Sequence, residues 1–141
     1  MEKKKLPPLQ VDVKQVKPLV FGQEYESRMI LDHVITGRDD VIQINHGTVK
    51  AGYALGGAAH EEDEIYYILS GKGKLQLNDE IIEIAEGQVI FIPAGCFHAL
   101  DNRESDEDMC ILTFWRDWRF NDAYETRLKL WGKSFKTVEE D

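Results

Sequence analysis

The sequence predicts an all-β domain in which short antiparallel strands form a barrel or a sandwich. Short apolar segments follow one another from residue 25 to residue 115, and turn residues separate them at nearly regular intervals. Several of these segments alternate apolar and polar residues, which is the period of a strand. The 141 residues, 43% hydrophobic and 30% charged, suit one globular domain with a single core.

Residues 1–24 are interpreted as an N-terminal arm. Residues 1–18 hold three of the four prolines and many lysines, so we expect this part to be extended or loosely packed. A barrel of short strands leaves sheet edges open, and open edges have to be paired or blunted. We therefore expect a homodimer in which residues 10–34 add to the sheet of the partner.

Residues 25–117 are expected to form the barrel. Its strand candidates, in chain order, are residues 25–34, 41–53, 65–71, 74–79, 81–87, 88–95 and 109–115. Ile42, Ile44 and His46 share one face at period two, so we expect His46 to face the interior with the two isoleucines. There His46 is either a substrate-binding residue or a hydrogen-bonded core histidine.

Residues 118–141 are expected to form a short C-terminal helix and a tail. Asp122 can cap this helix, Glu125 stands three residues later as in a capping box, and Gly132 can close its end. One helical face is apolar and would pack on the barrel; it consists of Tyr124, Leu128 and Trp131.

Residues 58–71, AAHEEDEIYYILSG, place a histidine and four acids directly before a buried strand. Burying charge is costly unless a partner neutralises it. His60, Glu62 and Glu64 share a face if the chain is extended there, and a histidine nitrogen with a carboxylate can bind a metal. The alternative is a solvated turn or a hydrogen-bonded polar cluster at the barrel mouth. A metal site also needs a donor from elsewhere, for which His98 is the candidate.

Two spaced motifs contain these residues. The second motif, G-(x)5-P-x-G-(x)2-H-(x)3-N, is complete at Gly87, Pro93, Gly95, His98 and Asn102. The first, G-(x)5-H-x-H-(x)3,4-E-(x)6-G, fits Gly52, His60, Glu64 and Gly71, with Ala58 in place of its first histidine. In these motifs the chain resembles the cupin superfamily, and the short segment between them resembles that of small single-domain (RmlC-like) cupins.

The resemblance implies a jelly-roll (double-stranded β-helix) barrel that holds one divalent transition metal per chain through His60, Glu64 and His98. The family's usual site has three histidines and a glutamate, so Ala58 removes one ligand. Two histidines and one carboxylate are the donor set of non-haem Fe(II) oxygenases, which leaves positions open for substrate and oxygen. Fe(II) is therefore the favoured metal, with Zn, Mn and Ni as alternatives. A decaying metal site would show the same loss, and Glu62 or His46 is an alternative fourth ligand.

The candidate substrate-binding residues are His46, Glu62 and Tyr66, and no catalytic side chain is singled out. Tyr66 shares parity with Glu64 and would line the pocket, although core packing explains it equally well. Glu62 is otherwise a solvated turn acid.

The net charge of −9 argues against nucleic acids and anionic membranes as partners. The start of the chain lacks the apolar region of a secretory signal, no apolar run reaches bilayer length, and two cysteines make no disulfide framework. We expect a cytoplasmic protein with a small-molecule substrate.

Three functions remain open at this stage. The favoured one is a metal-dependent enzyme on a small polar metabolite, with an Fe(II) dioxygenase or oxygenase as its leading form. The second is a non-oxidative isomerase or lyase on a sugar or organic acid, in which the metal acts as a Lewis acid. The third is a non-catalytic cupin that binds a small molecule.

Overall fold

The computed structural model describes residues 6–120, 122–133 and 136–140. The predicted all-β barrel is confirmed, because nine strands form two antiparallel sheets. The strands are β1 (Leu19–Phe21), β2 (Tyr25–Leu31), β3 (Gln43–Val49), β4 (Glu64–Ser70), β5 (Lys72–Leu77), β6 (Glu80–Ala85), β7 (Val89–Ile92), β8 (His98–Asp101) and β9 (Met109–Trp115). The larger sheet has the order β1-β2-β3-β9-β4-β7 and the smaller one β6-β5-β8.

The hydrophobic core lies between the two sheets. Alternate residues of each strand point inward, as the period of two requires. The larger sheet contributes Ile68, Ile92 and Ile111, and the smaller sheet contributes Leu75 and Ile84, each at most 3% exposed. This apolar core fills one part of the barrel, and polar side chains occupy the rest of its interior.

The inward face of β3 is the opposite of the one expected. Asn45 pairs with Thr113 and Val49 pairs with Met109, and Val49 and Met109 belong to the core. Ile42 is therefore 51% exposed, while Gln43 is fully buried. The expectation that His46 faces the interior is wrong. Apolar residues usually favour the buried face, but the inward positions 43 and 45 of β3 carry polar side chains.

The first two strands pair within the chain. β1 pairs with β2 and β2 pairs with β3, both antiparallel. Strand β1 lies at the edge of this sheet, so the expectation that residues 10–34 add to the sheet of a partner stays a prediction. Residues 1–5 of the predicted arm lie outside the described residues. Strand β8, which the sequence did not predict, pairs with β5.

Two α-helices accompany the sheets. α1 (His33–Thr36) follows β2, and Asp32 caps it by accepting hydrogen bonds from the backbone N–H groups of Val34 and Ile35. The predicted C-terminal helix is α2 (Asp122–Trp131), and Gly132 ends it in the left-handed conformation. The side chain of Asp122, the expected cap, lies outside the described part. Neither helix is long and apolar enough to cross a membrane.

Candidate metal centre

Three predicted donors lie together at one end of the barrel interior. The Nε2 atom of His60 lies 2.7 Å from Oε1 of Glu64, and Nε2 of His98 lies 3.7 Å from Oε2 of the same carboxylate. One ligand atom from each of the three residues falls within 4.8 Å of the others. Their side chains are 10–19% exposed, so the cluster is largely shielded but still open to a small molecule.

Backbone hydrogen bonds bring the distant donors together. The donor loop (residues 58–63) precedes β4, and the turn of residues 93–98 leads from β7 into β8. Gly95 N–H donates to the His60 carbonyl at 2.7 Å, and Ala94 N–H donates to the Asp63 carboxylate at 2.8 Å. The exposed Asp63 carboxylate therefore joins the donor loop to this turn.

Both histidines are fixed in the same tautomer. His60 Nδ1 lies 3.0 Å from the Glu62 carbonyl, and His98 Nδ1 lies 3.0 Å from the Cys96 carbonyl. A carbonyl oxygen only accepts, so each Nδ1 carries a proton and Nε2 is the ring nitrogen left to face Glu64. The two Nε2 atoms converge on the Glu64 carboxylate, whose oxygens accept when it is ionised. Acceptors at 2.7 Å repel one another unless a proton or a cation lies between them, so the donor set fits a divalent transition metal.

Tyr66 supports the cluster from within the core. Its side chain is 7% exposed, and its hydroxyl hydrogen-bonds to the Glu64 carboxylate. Burial first, and then the negative charge of Glu64, raise the pKa of the Tyr66 phenol well above its usual value. Tyr66 therefore stays protonated and donates to Glu64. Its ring meets the His98 ring edge-on at a centroid distance of 6.2 Å.

Ala58 stands directly opposite His98. Ala58 N–H donates to the His98 carbonyl at 3.1 Å, and His98 N–H donates to the Ala58 carbonyl at 2.9 Å. Directly paired residues of antiparallel strands project to the same face. The Ala58 methyl group therefore points to the side on which the His98 ring approaches Glu64. A fourth protein donor is absent there because the side chain is too short to reach.

The side chains of Glu62 and His46 are not part of the three-donor cluster. Residues 61 and 62 form a bend, so the alternation of an extended chain does not apply to Glu62. Its carboxylate accepts from the Asp117 backbone at 3.3 Å instead. His46 is on the outer face of β3, opposite Arg28 of β2, and partial burial followed by the Arg28 charge lowers its pKa. The structure thus brings neither residue to the Glu64 cluster.

A second polar cluster, absent from the sequence-based expectations, lies on the inward faces of β2 and β3. Arg127 of α2 is 1% exposed, and its Nη2 donates to Ser27 Oγ at 2.6 Å and to Asn45 Oδ1 at 3.4 Å. The Asn45 amide in turn donates to the Tyr25 hydroxyl at 3.4 Å. The available signal was that Arg127 interrupts the apolar helical stripe between Tyr124 and Leu128.

The model of the Cupin domain family matches residues 45–115, which is half of the chain. An uncharacterised protein of Streptomyces coelicolor is 32% identical over 47 residues, or 33% of this chain, and the match spans 45% of that protein's length. A predicted oxalate decarboxylase of Thermotoga maritima superimposes with a TM-score of 0.68 at 22% identity, covering 77% of this chain and 99% of that one. A polyketide cyclase of Streptomyces resistomycificus gives a TM-score of 0.69 at 20% identity, covering 85% and 94%.

Proposed function

Because the chain belongs to the cupin family, we propose that it is a metal-dependent enzyme acting on a small polar metabolite, with oxygen chemistry at Fe(II) as its favoured reaction. The observation that carries the proposal is the pair of histidines whose Nε2 atoms meet at the Glu64 carboxylate while their Nδ1 atoms are held by backbone carbonyls. His60, Glu64 and His98 would hold the metal. Bound Fe(II) would supply redox chemistry, and three protein ligands leave room for substrate and oxygen.

The residues around the donors have separable tasks in this proposal. The carbonyls of Glu62 and Cys96 orient the two imidazole rings, and the Tyr66 phenol holds the carboxylate. Ala58 keeps one side of the cluster open, as a catalytic site requires. The apolar core beneath the cluster limits access of water from within the barrel.

Metal binding is tested by elemental analysis of the purified protein and its variants. We expect one divalent transition metal per wild-type chain and loss of that metal in His60→Ala and His98→Ala. His46→Ala is the matched control, since His46 is a partly buried histidine on the outer sheet face. Full metal retention in both site variants would remove the proposed centre.

The reaction class is tested by anaerobic reconstitution with Fe(II). Nitric oxide is then added as an oxygen mimic, together with a panel of small acids, sugars and thiols. A ligand-dependent paramagnetic signal, matched by oxygen uptake in air, supports the oxygenase. Turnover without oxygen uptake supports the isomerase or lyase. Equal ligand binding to the metal-free protein, with no signal and no turnover, supports the binding module.

We also propose a homodimer that covers the outer face of β4 and β7. Ile65 lies opposite Phe91 and Tyr67 lies opposite Val89, and these four outward side chains are 37–65% exposed. Exposed apolar side chains that adjoin one another commonly mark an interface. Light scattering at micromolar concentration should give a dimer for the wild type and a monomer for Phe91→Glu. A wild-type monomer contradicts this part of the proposal.

A further inference from the structure

The structure assigns the Arg127 cluster as a binding site for the carboxylate group of the substrate, inside the barrel and apart from the candidate metal donors. This inference rests on the proposed function and deepens it, because it names a small organic acid anion as the substrate class. Its basis is a buried guanidinium that the protein itself pairs only in part.

Arg127 carries a buried positive charge that, among the described carboxylates, only Asp32 offsets electrostatically, because the described hydrogen bonds of its guanidinium reach no carboxylate. Its guanidinium donates only to Ser27 and Asn45, which are both uncharged. Its Nε and Nη1 atoms are buried without a hydrogen-bond partner among the described residues. Burial lowers the pKa of Arg127 to about 10, so the group is still charged at neutral pH. Buried guanidinium donors without an acceptor are costly, and a carboxylate matches the donor geometry of a guanidinium.

Two further buried polar atoms, on the sheet face that carries Asn45, lack a partner among the described residues. Trp115 and Gln43 point inward from directly paired positions of β9 and β3, and they are 8% and 0% exposed. Trp115 Nε1 and Gln43 Oε1 are also buried without a partner in the described part of the chain. Native proteins seldom leave such atoms unsatisfied, so two of them on the sheet face that also carries Asn45 indicate a missing ligand or ordered water.

A continuous polar line connects this cluster to the donor cluster. Asn45 and Tyr66 flank Thr113 on the inward face, one strand to either side. Two strand spacings amount to about 10 Å. The Tyr25 hydroxyl, which Asn45 contacts, lies close enough to Arg127 and Glu64 for both charges to influence its pKa. A small acid with its carboxylate on Arg127 would thus extend its other end towards Glu64.

The test measures anion binding by metal-free protein, in the presence of a chelator. Succinate and malonate are compared with their uncharged diamides by calorimetry. We expect the acids, and not the diamides, to bind the wild type. Arg127→Met should weaken succinate binding by about tenfold or more, and Arg127→Lys by less, because lysine keeps the charge but lacks the planar fork. Arg119→Met is the matched control, since Arg119 is exposed and paired with Asp117.

The stability of the ligand-free variants separates binding from a structural role. Burial outweighs the attraction of Asp32 at Arg127, so Arg127→Met should be as stable as the ligand-free wild type or more stable. A destabilised Arg127→Met with unchanged succinate binding overturns the inference. If Arg127→Met fails to fold, the NMR resonance of the Arg127 Nε–H group is followed in the wild type instead. A change of its chemical shift with succinate and not with succinamide supports the site. No change with succinate overturns the inference.

The two proposals fail in different ways. Metal binding at His60, Glu64 and His98 without a preference for acids over diamides would support the proposed function and refute the carboxylate site. Binding of acids in preference to diamides that depends on Arg127, without metal binding, would support the carboxylate site and refute the proposed metal-dependent enzyme. If only water occupies the Arg127 cluster, the chain shows no preference for acids over diamides, and the carboxylate site is refuted.

Discussion

Tyr66→Phe should destabilise the metal-free protein through the loss of a single hydrogen bond. Tyr66 is 93% buried, as its 7% exposure implies, and phenylalanine keeps the ring that packs on His98. What the substitution removes is the donor to the Glu64 carboxylate. Hydrogen bonds to charged groups contribute about 1.5–3 kcal/mol, so the free energy of unfolding should fall by that amount. For a domain of this size the melting temperature should fall by about 4–10 °C.

Saturating divalent metal should reduce this loss. A bound cation neutralises the Glu64 carboxylate, so the phenol then contributes as an ordinary hydrogen bond of about 1 kcal/mol. The assay is thermal and urea unfolding of wild type and variant, each with chelator and with excess metal. Tyr67→Phe is the matched control, because Tyr67 is the next residue of β4, points outward and is 37% exposed. Equal effects of the two substitutions would show that the Tyr66 hydroxyl does not support Glu64.

Three further predictions concern the barrel interior. Ala58→His should tighten metal binding and lower turnover, because position 58 faces the His98 side and a fourth protein ligand would occupy an open coordination position of the metal. Unchanged metal affinity and turnover would mean that position 58 does not face the metal. Gly47→Ala should lower the free energy of unfolding by about 1–3 kcal/mol, because the new methyl group would overlap the Tyr25 hydroxyl. Adding Tyr25→Phe to this variant should recover part of that free energy in urea unfolding. If the effects of the two substitutions are strictly additive, the contact is contradicted. Burial, only partly offset by the charge of Arg127, raises the pKa of Tyr25 above its usual value, so the stabilising contribution of Tyr25 is complete below about pH 10 and is lost as the pH rises further. Above about pH 10 the difference in unfolding free energy between the wild type and Tyr25→Phe should therefore shrink. A constant difference would contradict the raised pKa.

The sequence was sufficient for the fold class and the family because both depend on patterns that are local in the chain. Turn glycines, alternating strands and the spacing of the second motif are all readable without tertiary structure. The His60, Glu64 and His98 grouping was accessible only through the motif, since the backbone bonds that join residues 58–63 to residues 93–98 are long-range. Strand β8 was missed because it is only four residues long and ends in Asp101.

The sequence-based prediction of which residues of β3 face inward failed where the barrel interior is polar. The apolar residues Ile42 and Ile44 favour an inward assignment, yet Gln43 and Asn45 are the buried residues, and Asn45 hydrogen-bonds to Arg127. Period-two reasoning cannot decide which face of a strand is buried when the buried face carries amides. Arg127 itself sits among apolar helix positions, and a charge at such a position conflicts with the local pattern. That conflict was the missed signal.

The donor loop and the turn of residues 93–98 are joined by backbone bonds between segments that are distant in the chain, so the three donors meet only after β4, β7 and β8 have found their partners. Barrels built from such non-local pairings fold slowly, because loop-closure entropy is lost before the contacts form. A cation that binds the finished donor set has no site in the early folding chain. It should therefore slow unfolding and leave the folding rate nearly unchanged. Metal starvation would shorten the lifetime of each folded molecule without making new ones harder to form.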